Sequence, residues 1–497
     1  MQRNGWGRGV IAAGFEGETF DPALPVFGAY VLFGRNVASL PQVRALSDGL
    51  RQHGDDGVAP LVAIDQEGGR VARLRSDVEP MPSMMALGAV GDLELAGRAG
   101  EQVAFDLRRA GCSLNFAPVL DLALHPENVA IGTRSLGSDP RAVAALGAAF
   151  AAGLERGGIS PCYKHFPGHG ATADDSHLTL PVIDADAATV RRRDLVPFEM
   201  VAPEAPAMMG AHVVVRAFDP DEPVTTSRIA TELLRGQLGF KGAYVTDCLQ
   251  MSALTQRGDI TSNAVAALSA GADLLTVSHS TEAALEIVAA IEAAVEAGRL
   301  PLQRLQEAYA RVRRLREAAR PPLPLDEFPP HPGVGREIAR RAVTLVRGMA
   351  HADPLTTIVV SFEGSLSEGI NLRAVTGQSL RREAPALSEL SLPLDPDDEQ
   401  TATACQAIGE SGRRPLILAR RAHLHAQQAR AIERIVGDSH DALVISMLEP
   451  FDVPLFSMAR HVLAAYGDDA AAIGGIADVL FGGSFPEGRV PVDLAGH

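Results

Sequence analysis

Short apolar runs alternate with longer amphipathic stretches over the first 320 residues of the chain. Apolar runs of this length, bounded by glycine, proline or charged residues, are typical of the buried strands of a parallel sheet. Eight such strand candidates occur, in the order GVIAAGF, GAYVLF, LVAID, SLNFAPV, ISPCYKHF, PAMMGAH, GAYVTD and DLLTV.

The stretches between the runs have the spacing of amphipathic helices. ELAGRAGEQVAFDLRRAG and RAVAALGAAFAAGLERGG repeat apolar residues every three or four positions and end at glycine, which commonly terminates a helix. Eight strand and helix units within roughly 300 residues predict a closed (β/α)8 barrel with a few irregular segments. A doubly wound open sheet is the alternative, but eight units favour closure.

The pattern changes after the predicted barrel, to which we assign residues 1–320. The stretch RPPLPLDEFPPHPGV contains six prolines and cannot continue a helix or a central strand, so it predicts a linker over residues 321–334. Alternation resumes in residues 335–497. There TTIVVSF, PLILARR, DALVISM and HVLAAY predict strands, and HLHAQQARAIERIVG predicts a helix. The second region is therefore predicted to be a smaller α/β sandwich, and the whole chain to belong to the α/β class.

Length and charge restrict the classes of function. The 497 residues exceed one ordinary core, which agrees with two domains, and a net charge of -16 argues against nucleic acid or an anionic membrane as partner. The N-terminal sequence has no apolar signal-peptide core, and no run of eighteen apolar residues occurs. Four cysteines without a CxxC pair predict reduced thiols. Together these features predict a cytoplasmic protein with a small ligand.

Ionisable residues cluster at one end of the predicted barrel. Five of the eight predicted strands deliver such a group at their carboxyl ends, where the active site of a barrel forms. Taken singly, each is as consistent with a helix cap or a salt bridge as with function, but their convergence favours a site. The residues are Asp65, Asp121, Lys164, His165, His212 and Asp247.

The segment KHFPGHGATADDSH, residues 164–177, contains three histidines. His165 and His169 have the spacing of two metal ligands on a helix, but Pro167 and the neighbouring glycines would break that helix. No complementary ligand cluster is found, so we predict no metal site, and a zinc hydrolase remains a rival hypothesis that metal analysis would decide. A loop that transfers protons is the favoured interpretation.

Several of these motifs resemble glycoside hydrolase family 3, and within it the β-N-acetylglucosaminidases that carry a histidine–aspartate dyad. The motifs AIDQEGGRVAR, IGTRSLGSDP, KHFPGHG followed by DSH, and VTDCLQM stand in the expected order, and LFGGSFPEGRVPVDL is similar to the closing segment of that family's αβα sandwich. The resemblance implies a (β/α)8 barrel followed by an αβα sandwich. It also implies a small carbohydrate that contains N-acetylglucosamine (GlcNAc) as the partner, and no cofactor.

The resemblance further implies a retaining mechanism through a covalent glycosyl-enzyme. Asp247 matches the nucleophile, and His177 matches the acid/base, whose ordinary pKa near 6.5 suits both proton transfers. Asp175 would orient the His177 ring, as the D-S-H pattern suggests, with Asp174 as the rival for that role. A nucleophilic Cys248 would need a nearby base, for which the sequence gives no sign.

Sugar binding is carried over from the same match. Asp65 would accept hydrogen bonds from sugar hydroxyls, although a buried carboxylate between cations also fits a structural salt bridge. Glu67 and Arg70 are interpreted as structural, and no catalytic residue is expected after Val334. Donors to the sugar hydroxyls or the N-acetyl group would be Arg73, Arg134, Lys164 and His165.

The predicted activity is that of a retaining exo-β-N-acetylglucosaminidase acting on GlcNAc-containing muropeptides or oligosaccharides derived from peptidoglycan. One alternative is a phosphorylase, because a neutral histidine base repels phosphate less than a carboxylate base would. The others are a broader β-glycosidase of the same family and a non-catalytic sugar-binding protein. The oligomeric state stays open.

Overall fold

The computed structural model describes residues 5–172, 179–364 and 376–494. Within them, eight parallel strands close into a barrel, which confirms the predicted architecture. We number these strands β1 to β8 in chain order. Their bounds are Ile11–Gly14, Ala29–Leu32, Leu61–Ile64, Leu114–Asn115, Ser160–Phe166, Ala207–Gly210, Ala243–Cys248 and Leu274–Val277.

The strands follow one another around the barrel in sequence order. β1 closes the circle, because Ala12 lies opposite Ala29 of β2 and Ile11 lies opposite Leu275 of β8. All strands are parallel, so their carboxyl ends meet at a single rim. Each loop that leaves this rim can therefore contribute side chains to one shared site.

Helices connect most of the strands and cover the outside of the barrel. Residues 15–28, all of them described, contain no helix, so the connection from β1 to β2 is irregular. The helices of this region are α1 Trp6–Gly9, α2 Leu40–Gln52, α3 Met84–Val90, α4 Leu93–Arg109, α5 Pro140–Gly157, α6 Ala187–Arg192, α7 Val196–Val201, α8 Arg228–Glu232, α9 Ser252–Thr255, α10 Ile260–Ala270, α11 Thr281–Glu296 and α12 Leu302–Glu317.

The barrel interior is filled by small and medium apolar side chains. Residues such as Ala12, Ala63 and Val245 alternate with outward-facing residues and cluster with one another. Val312 and Leu315 of α12 join this inner cluster. α12 therefore packs against the interior, and a packed core supports the rim from below.

The second region is a six-stranded sheet with helices, in agreement with the predicted α/β sandwich. We number its strands β9 to β14, with the order β9-β14-β13-β12-β10-β11, and β9 is antiparallel to β14. β9 and β11, the two edge strands, were absent from the sequence prediction. The strands are Thr344–Arg347, Thr357–Glu363, Ser388–Pro393, Arg414–Ala419, Leu443–Ser446 and His461–Ala464. The helices are α13 Val334–Ala342, α14 Thr376–Glu383, α15 Asp398–Ser411, α16 Ala426–Asp438 and α17 Ala470–Leu480.

The proline-rich segment lies between α12 and α13 and is attached to the barrel. The guanidinium groups of Arg108 and Arg109, in α4, donate to the carbonyls of Pro321 and Leu325, each at 2.8 Å. The segment therefore follows the barrel surface. The division of the chain at residues 320 and 334 stays a prediction.

No helix in the described part of the chain is long and apolar enough to cross a membrane.

Candidate active site

A cavity of about 390 Å³ opens at the carboxyl ends of the barrel strands. Six of the predicted site residues lie within the described part of the chain, and all six line this cavity. They are Asp65, Arg73, Arg134, Lys164, His165 and Asp247. The other two, Asp175 and His177, lie outside the described residues, so their roles stay predictions.

Three of the charged residues that line the cavity join a fourth that lies just behind it in a set of ion pairs, and we call the four together the cleft cluster: Asp65, Glu67, Arg134 and Lys164. The Lys164 Nζ atom lies 2.8 Å from Asp65 Oδ1 and 2.6 Å from Glu67 Oε1. Glu67 in turn accepts two hydrogen bonds from the Arg134 guanidinium, both at 2.8 Å. The cleft cluster thus joins groups from β5 and from the loops that follow β3 and β4.

Each charge in the cleft cluster is stabilised by its partners. Burial by itself would raise the pKa of Asp65, but the positive charges of Lys164 and Arg73 outweigh burial and hold that pKa well below its usual range. The pKa of Glu67 is lowered in the same way by Arg134 and Lys164. Burial would lower the pKa of Lys164, but its two carboxylate partners raise it instead. All these groups therefore stay charged at neutral pH.

Arg73 extends the cleft cluster toward the rim. Its Nη2 atom lies 3.2 Å from Asp65 Oδ2, and its guanidinium lies 5.7 Å from the centre of the Phe33 ring. Arg73 follows a two-stranded hairpin, Gln66–Gly68 with Val71–Ala72, and its backbone N–H donates to Gln66 Oε1 at 2.9 Å. The hairpin fixes where the Arg73 side chain begins.

His165 is held from behind by Asp121. The His165 Nδ1 atom lies 2.6 Å from Asp121 Oδ2, and the His169 backbone N–H donates to Asp121 Oδ1 at 2.7 Å. Asp121 is fully buried, and although burial opposes it, His165 lowers the pKa of this carboxyl. Asp121 therefore anchors the start of the KHFPGHG loop.

His169 forms contacts within its own loop. Thr172 Oγ1 lies 3.4 Å from His169 Nδ1 and donates to the His169 carbonyl at 3.3 Å. His169 also lines the cavity, which the sequence interpretation did not predict. Burial lowers the pKa of its ring, so His169 is neutral at neutral pH.

Asp247 lies near the carboxyl end of β7 and lines the cavity. Its side chain is partly exposed, and its Oδ1 atom accepts a hydrogen bond from the Cys248 backbone N–H at 2.7 Å. Burial raises the pKa of the Cys248 thiol, which keeps the sulfur protonated and argues against a cysteine nucleophile. His212 lies behind this strand end, where its Nε2 atom is 2.9 Å from the Cys248 carbonyl.

The two residues interpreted as structural, Glu67 and Arg70, do not line the cavity. Glu67 is 1% exposed and pairs with two residues that do line it, Arg134 and Lys164. Arg70 instead approaches the second region, with its Nε atom 3.6 Å from Asp468 Oδ1. Glu67 is therefore more closely connected to the site than the sequence interpretation assumed.

The sequence interpretation also missed part of the opposite wall. Phe33 and Arg35 follow β2, while Ser278 and His279 follow β8, and all four line the cavity. The His279 ring stacks on Phe33 with 6.4 Å between ring centres, and the Arg35 guanidinium lies 4.8 Å from the Phe33 ring. The same rule of strand carboxyl ends, applied to aromatic and polar residues as well as acids and bases, would have found them.

In the described ranges, no three histidine, cysteine, aspartate or glutamate side chains are arranged to hold a metal ion. What the arrangement offers is a partly exposed carboxylate, Asp247, in a cavity that also presents fixed cations and the acceptor Asp65. Such a set suits a neutral ligand rich in hydroxyl groups, with the carboxylate available for nucleophilic attack.

Comparison with known proteins agrees with this geometry. The family profile described as "Glycosyl hydrolase family 3 N terminal domain" matches residues 23–315. The chain belongs to glycosyl hydrolase family 3. It is accordingly a glycoside hydrolase, and its barrel is the domain that the profile describes.

This family 3 chain is similar to several proteins whose names agree with one another. A β-hexosaminidase from Bordetella avium is 37% identical over 297 residues, which cover 58% of this chain and 83% of that protein. The solved structure of a family 3 β-N-acetylglucosaminidase from Paenibacillus sp. str. FPU-7 is 32% identical, covers 99% of each chain and superposes with a TM-score of 0.90. NagZ from Neisseria gonorrhoeae, solved with N-trifluoroacetyl-D-glucosamine, is 30% identical over 62% of this chain and 98% of its own, with a TM-score of 0.52.

Proposed function

We propose that this family 3 enzyme is a retaining exo-β-N-acetylglucosaminidase that removes terminal β-linked GlcNAc from peptidoglycan-derived fragments. The observation that carries the proposal is the convergence of Asp247 and five predicted binding residues, from separate strands and loops, on one cavity. The names of the relatives, β-hexosaminidase and β-N-acetylglucosaminidase, support the choice of sugar.

In the proposed mechanism, an Asp247 carboxylate oxygen attacks the anomeric carbon of the bound GlcNAc. The bond from that carbon to the leaving oxygen breaks as His177 donates a proton to the oxygen, and a glycosyl-enzyme forms. His177 then takes a proton from water, whose oxygen attacks the anomeric carbon and releases Asp247 as a carboxylate. Asp175 accepts a hydrogen bond from the His177 ring and orients it through both steps.

The cleft cluster would position the sugar in this mechanism. Lys164 is 2% exposed and has two carboxylate partners, so its ammonium cannot swing freely when a substrate enters. Asp65 remains ionised and accepts from a sugar hydroxyl, while Arg134, Arg73 and His165 donate. Prearranged charges of this kind lower the barrier because they need no reorganisation during the reaction.

The cellular setting remains a prediction of the family resemblance. Muropeptides and related GlcNAc-containing oligosaccharides are the proposed substrates, and the cytoplasm is the proposed location. A partner of this size and chemistry suits a cavity of about 390 Å³, which holds a sugar ring with room for part of its aglycone.

The test is hydrolysis of an aryl β-N-acetylglucosaminide and an aryl β-glucoside by the wild type, Asp247→Asn and His177→Ala. We expect the wild type to prefer the acetamido substrate and Asp247→Asn to lose several orders of magnitude in kcat, because the covalent step is lost. His177→Ala should lose less activity on a substrate with a good aryl leaving group, which needs little protonation. Glu317→Gln, a change in a surface pair of α12, is the matched control.

The outcomes of these assays separate the proposed enzyme from its alternatives. Full activity in Asp247→Asn would contradict the proposed nucleophile, and equal turnover of both sugars would favour a broader β-glycosidase. The same assays run with added phosphate would reveal a phosphorylase, because the product would then be a glycosyl phosphate. Saturable sugar binding without turnover would indicate a binding protein.

A further inference from the structure

One buried carboxylate of the second region contacts the rim of the barrel. Glu449, 3% exposed, lies between β13 and β14, and its Oε1 atom accepts a hydrogen bond from the Thr133 backbone N–H at 2.9 Å. The same carboxylate receives two hydrogen bonds from Arg421, at 2.7 and 2.6 Å. Both charges of this pair belong to the sandwich, whereas Thr133 belongs to the barrel.

Thr133 lies in the short turn that carries Arg134. The turn is a 3-10 helix over Gly132–Arg134, and Gly132 has a φ of +45°, in the left-handed region. A Cβ atom at Gly132 would lie 2.1 Å from Glu449 Oε1. The carboxylate thus occupies the space of the missing side chain, and any other residue at position 132 would collide with it.

Arg134 leaves this turn and enters the cavity wall. Its Nη1 atom donates to the Ala130 carbonyl at 2.8 Å, and its other two nitrogens bind Glu67. The guanidinium is therefore fixed at its far end by the cleft cluster, and its backbone is fixed by a turn bonded to Glu449. A displacement of the turn would pull Arg134 away from both Glu67 and the cavity.

The charge of Glu449 is stable in this position. Burial would raise its pKa, but the Arg421 guanidinium outweighs burial and lowers the pKa to about 2. A charged acceptor forms a stronger hydrogen bond to a backbone N–H than a neutral one does. Glu449 therefore holds the turn firmly over the whole neutral range.

A second contact between the regions involves the hairpin that follows β3. Asp468 lies 3.6 Å from Arg70 Nε, and its other oxygen lies 3.0 Å from Arg420 Nη2. Arg70 belongs to the turn of the hairpin that carries Glu67 and leads to Arg73. The sandwich thus contacts both loops that supply the cleft cluster, the one after β3 and the one after β4.

We propose that Glu449, oriented by Arg421, is a positioning residue that sets the Arg134 turn for sugar binding. The sandwich then takes part in substrate recognition although none of its described residues lines the cavity. This inference rests on the proposed function, because it assumes that Arg134 binds the sugar.

A double-mutant cycle tests the proposal through KM for the aryl β-N-acetylglucosaminide. The variants are Glu449→Ala, Arg134→Met and the double variant, with Glu449→Gln as the conservative change. Glu337→Ala is the matched control, because Glu337 forms another ion pair between the regions, 3.0 Å from Arg98 Nη2, but does not touch the turn. Circular dichroism at the assay temperature establishes that each variant is folded.

We expect Glu449→Ala to raise KM about tenfold in the wild-type background and to leave KM almost unchanged in the Arg134→Met background. Glu449→Gln should restore much of the affinity, since its amide oxygen still accepts from Thr133. If Glu449→Ala does not fold, Glu449→Gln in the same two backgrounds gives the cycle with a smaller effect. Glu337→Ala should leave KM unchanged.

Two results would overturn the inference while the proposed function stands. One is an active wild type whose Glu449 variants behave like Glu337→Ala. The other is an equal rise in KM in both Arg134 backgrounds. A wild type that turns over no β-N-acetylglucosaminide would instead overturn the proposed function, and this inference with it.

Discussion

Two sets of buried charges lie at opposite ends of the same barrel. The cleft cluster lies at the carboxyl ends of the strands. The second set, which we call the floor cluster, lies at the amino end of β8 and consists of Asp273, Arg235, Arg304 and Arg311. Asp273 is fully buried, with Arg304 Nη2 at 2.6 Å and Arg311 Nη1 at 3.1 Å from its Oδ1 atom. Both sets combine carboxylates with arginine at hydrogen-bonding distance.

The two clusters differ in what lies beside them. Asp65, Arg134 and Lys164 line the cavity, whereas the floor cluster joins β8 to the helix α12 and to the π-helical turn Leu233–Gln237. The Asp273 carboxylate also accepts from the Tyr244 backbone N–H at 2.9 Å, so its acceptor positions are used within the fold. Buried ion pairs alone therefore do not identify a site, but their position at the carboxyl rim does.

The largest expected effect is a loss of stability when the floor cluster is disrupted. Asp273→Asn keeps the shape of the side chain but leaves three arginines without their carboxylate, so we expect the free energy of unfolding to fall by about 3–5 kcal/mol. Urea unfolding followed by circular dichroism measures this change. KM for the aryl β-N-acetylglucosaminide should stay at its wild-type value; a rise would show that the floor cluster also affects the site.

The next largest expected effect is a loss of activity when the cleft cluster is changed. Asp65→Asn removes a charged acceptor that we propose binds a sugar hydroxyl, and kcat/KM should fall about 100-fold, equivalent to about 2.7 kcal/mol. Steady-state kinetics measures this loss. The free energy of unfolding should change less than in Asp273→Asn, because Lys164 keeps Glu67 as a partner. A larger loss of stability than of activity would contradict the binding role of Asp65.

A buried carboxylate that bonds to neutral groups sharpens the comparison: Asp452 accepts hydrogen bonds from the Ser446 hydroxyl and the Ala422 backbone N–H. Burial raises the pKa of Asp452 to about 7, and the nearby negative charge of Glu449 adds to the shift. Between about pH 4 and 7 the folded chain therefore keeps a proton on Asp452 that the unfolded chain has released, so this residue's contribution to stability declines as the pH rises through that range.

Asp452→Asn tests this pH dependence, since asparagine resembles the protonated acid and cannot ionise. We expect the gain in unfolding free energy over the wild type to be greater at pH 8 than at pH 5. Urea titrations at the two pH values measure it. An identical difference at both pH values would show that Asp452 is ionised in the folded chain throughout.

The smallest effect comes from an exposed pair on α12. Arg313 Nε lies 2.8 Å from Glu317 Oε1, and the two side chains are 38% and 49% exposed. Glu317→Gln should leave both the free energy of unfolding and KM close to their wild-type values, because solvent screens an exposed pair. Urea unfolding and kinetics of this one variant check both expectations. A change as large as that of Asp273→Asn would remove the contrast between buried and exposed pairs.

The sequence predicted the buried strands better than the edge strands. β9, with the sequence TLVR, has one buried residue and three exposed ones, and β11, SELSLP, has one buried residue out of six. An edge strand pairs on one side only, so its residues are less buried and its apolar pattern is weak. β4 is also shorter than its apolar run predicted, since Pro118 cannot donate to a neighbouring strand.

The same contrast holds for the candidate site. Asp65, Lys164 and Asp247 lie at the carboxyl ends of predicted strands, so the rule of strand ends identified them as candidates. Glu449 was not predicted, because it lies 316 positions from Thr133 in the chain and the two meet only in the folded protein. Sequence patterns report local structure and burial, whereas a contact between two folded units depends on how their surfaces fit.

The hydrophobic core of the barrel continues into the second region. Val334 and Ile338 of α13, together with Phe451 and Tyr466, belong to the same apolar cluster as the outer face of the barrel strands. A gene shortened after α12 would therefore produce a barrel with an exposed hydrophobic surface, which promotes self-association. For protein engineers, the barrel of this chain is therefore not an independent part. An exchange of its barrel for that of another enzyme would require redesign of the surface that meets the sandwich.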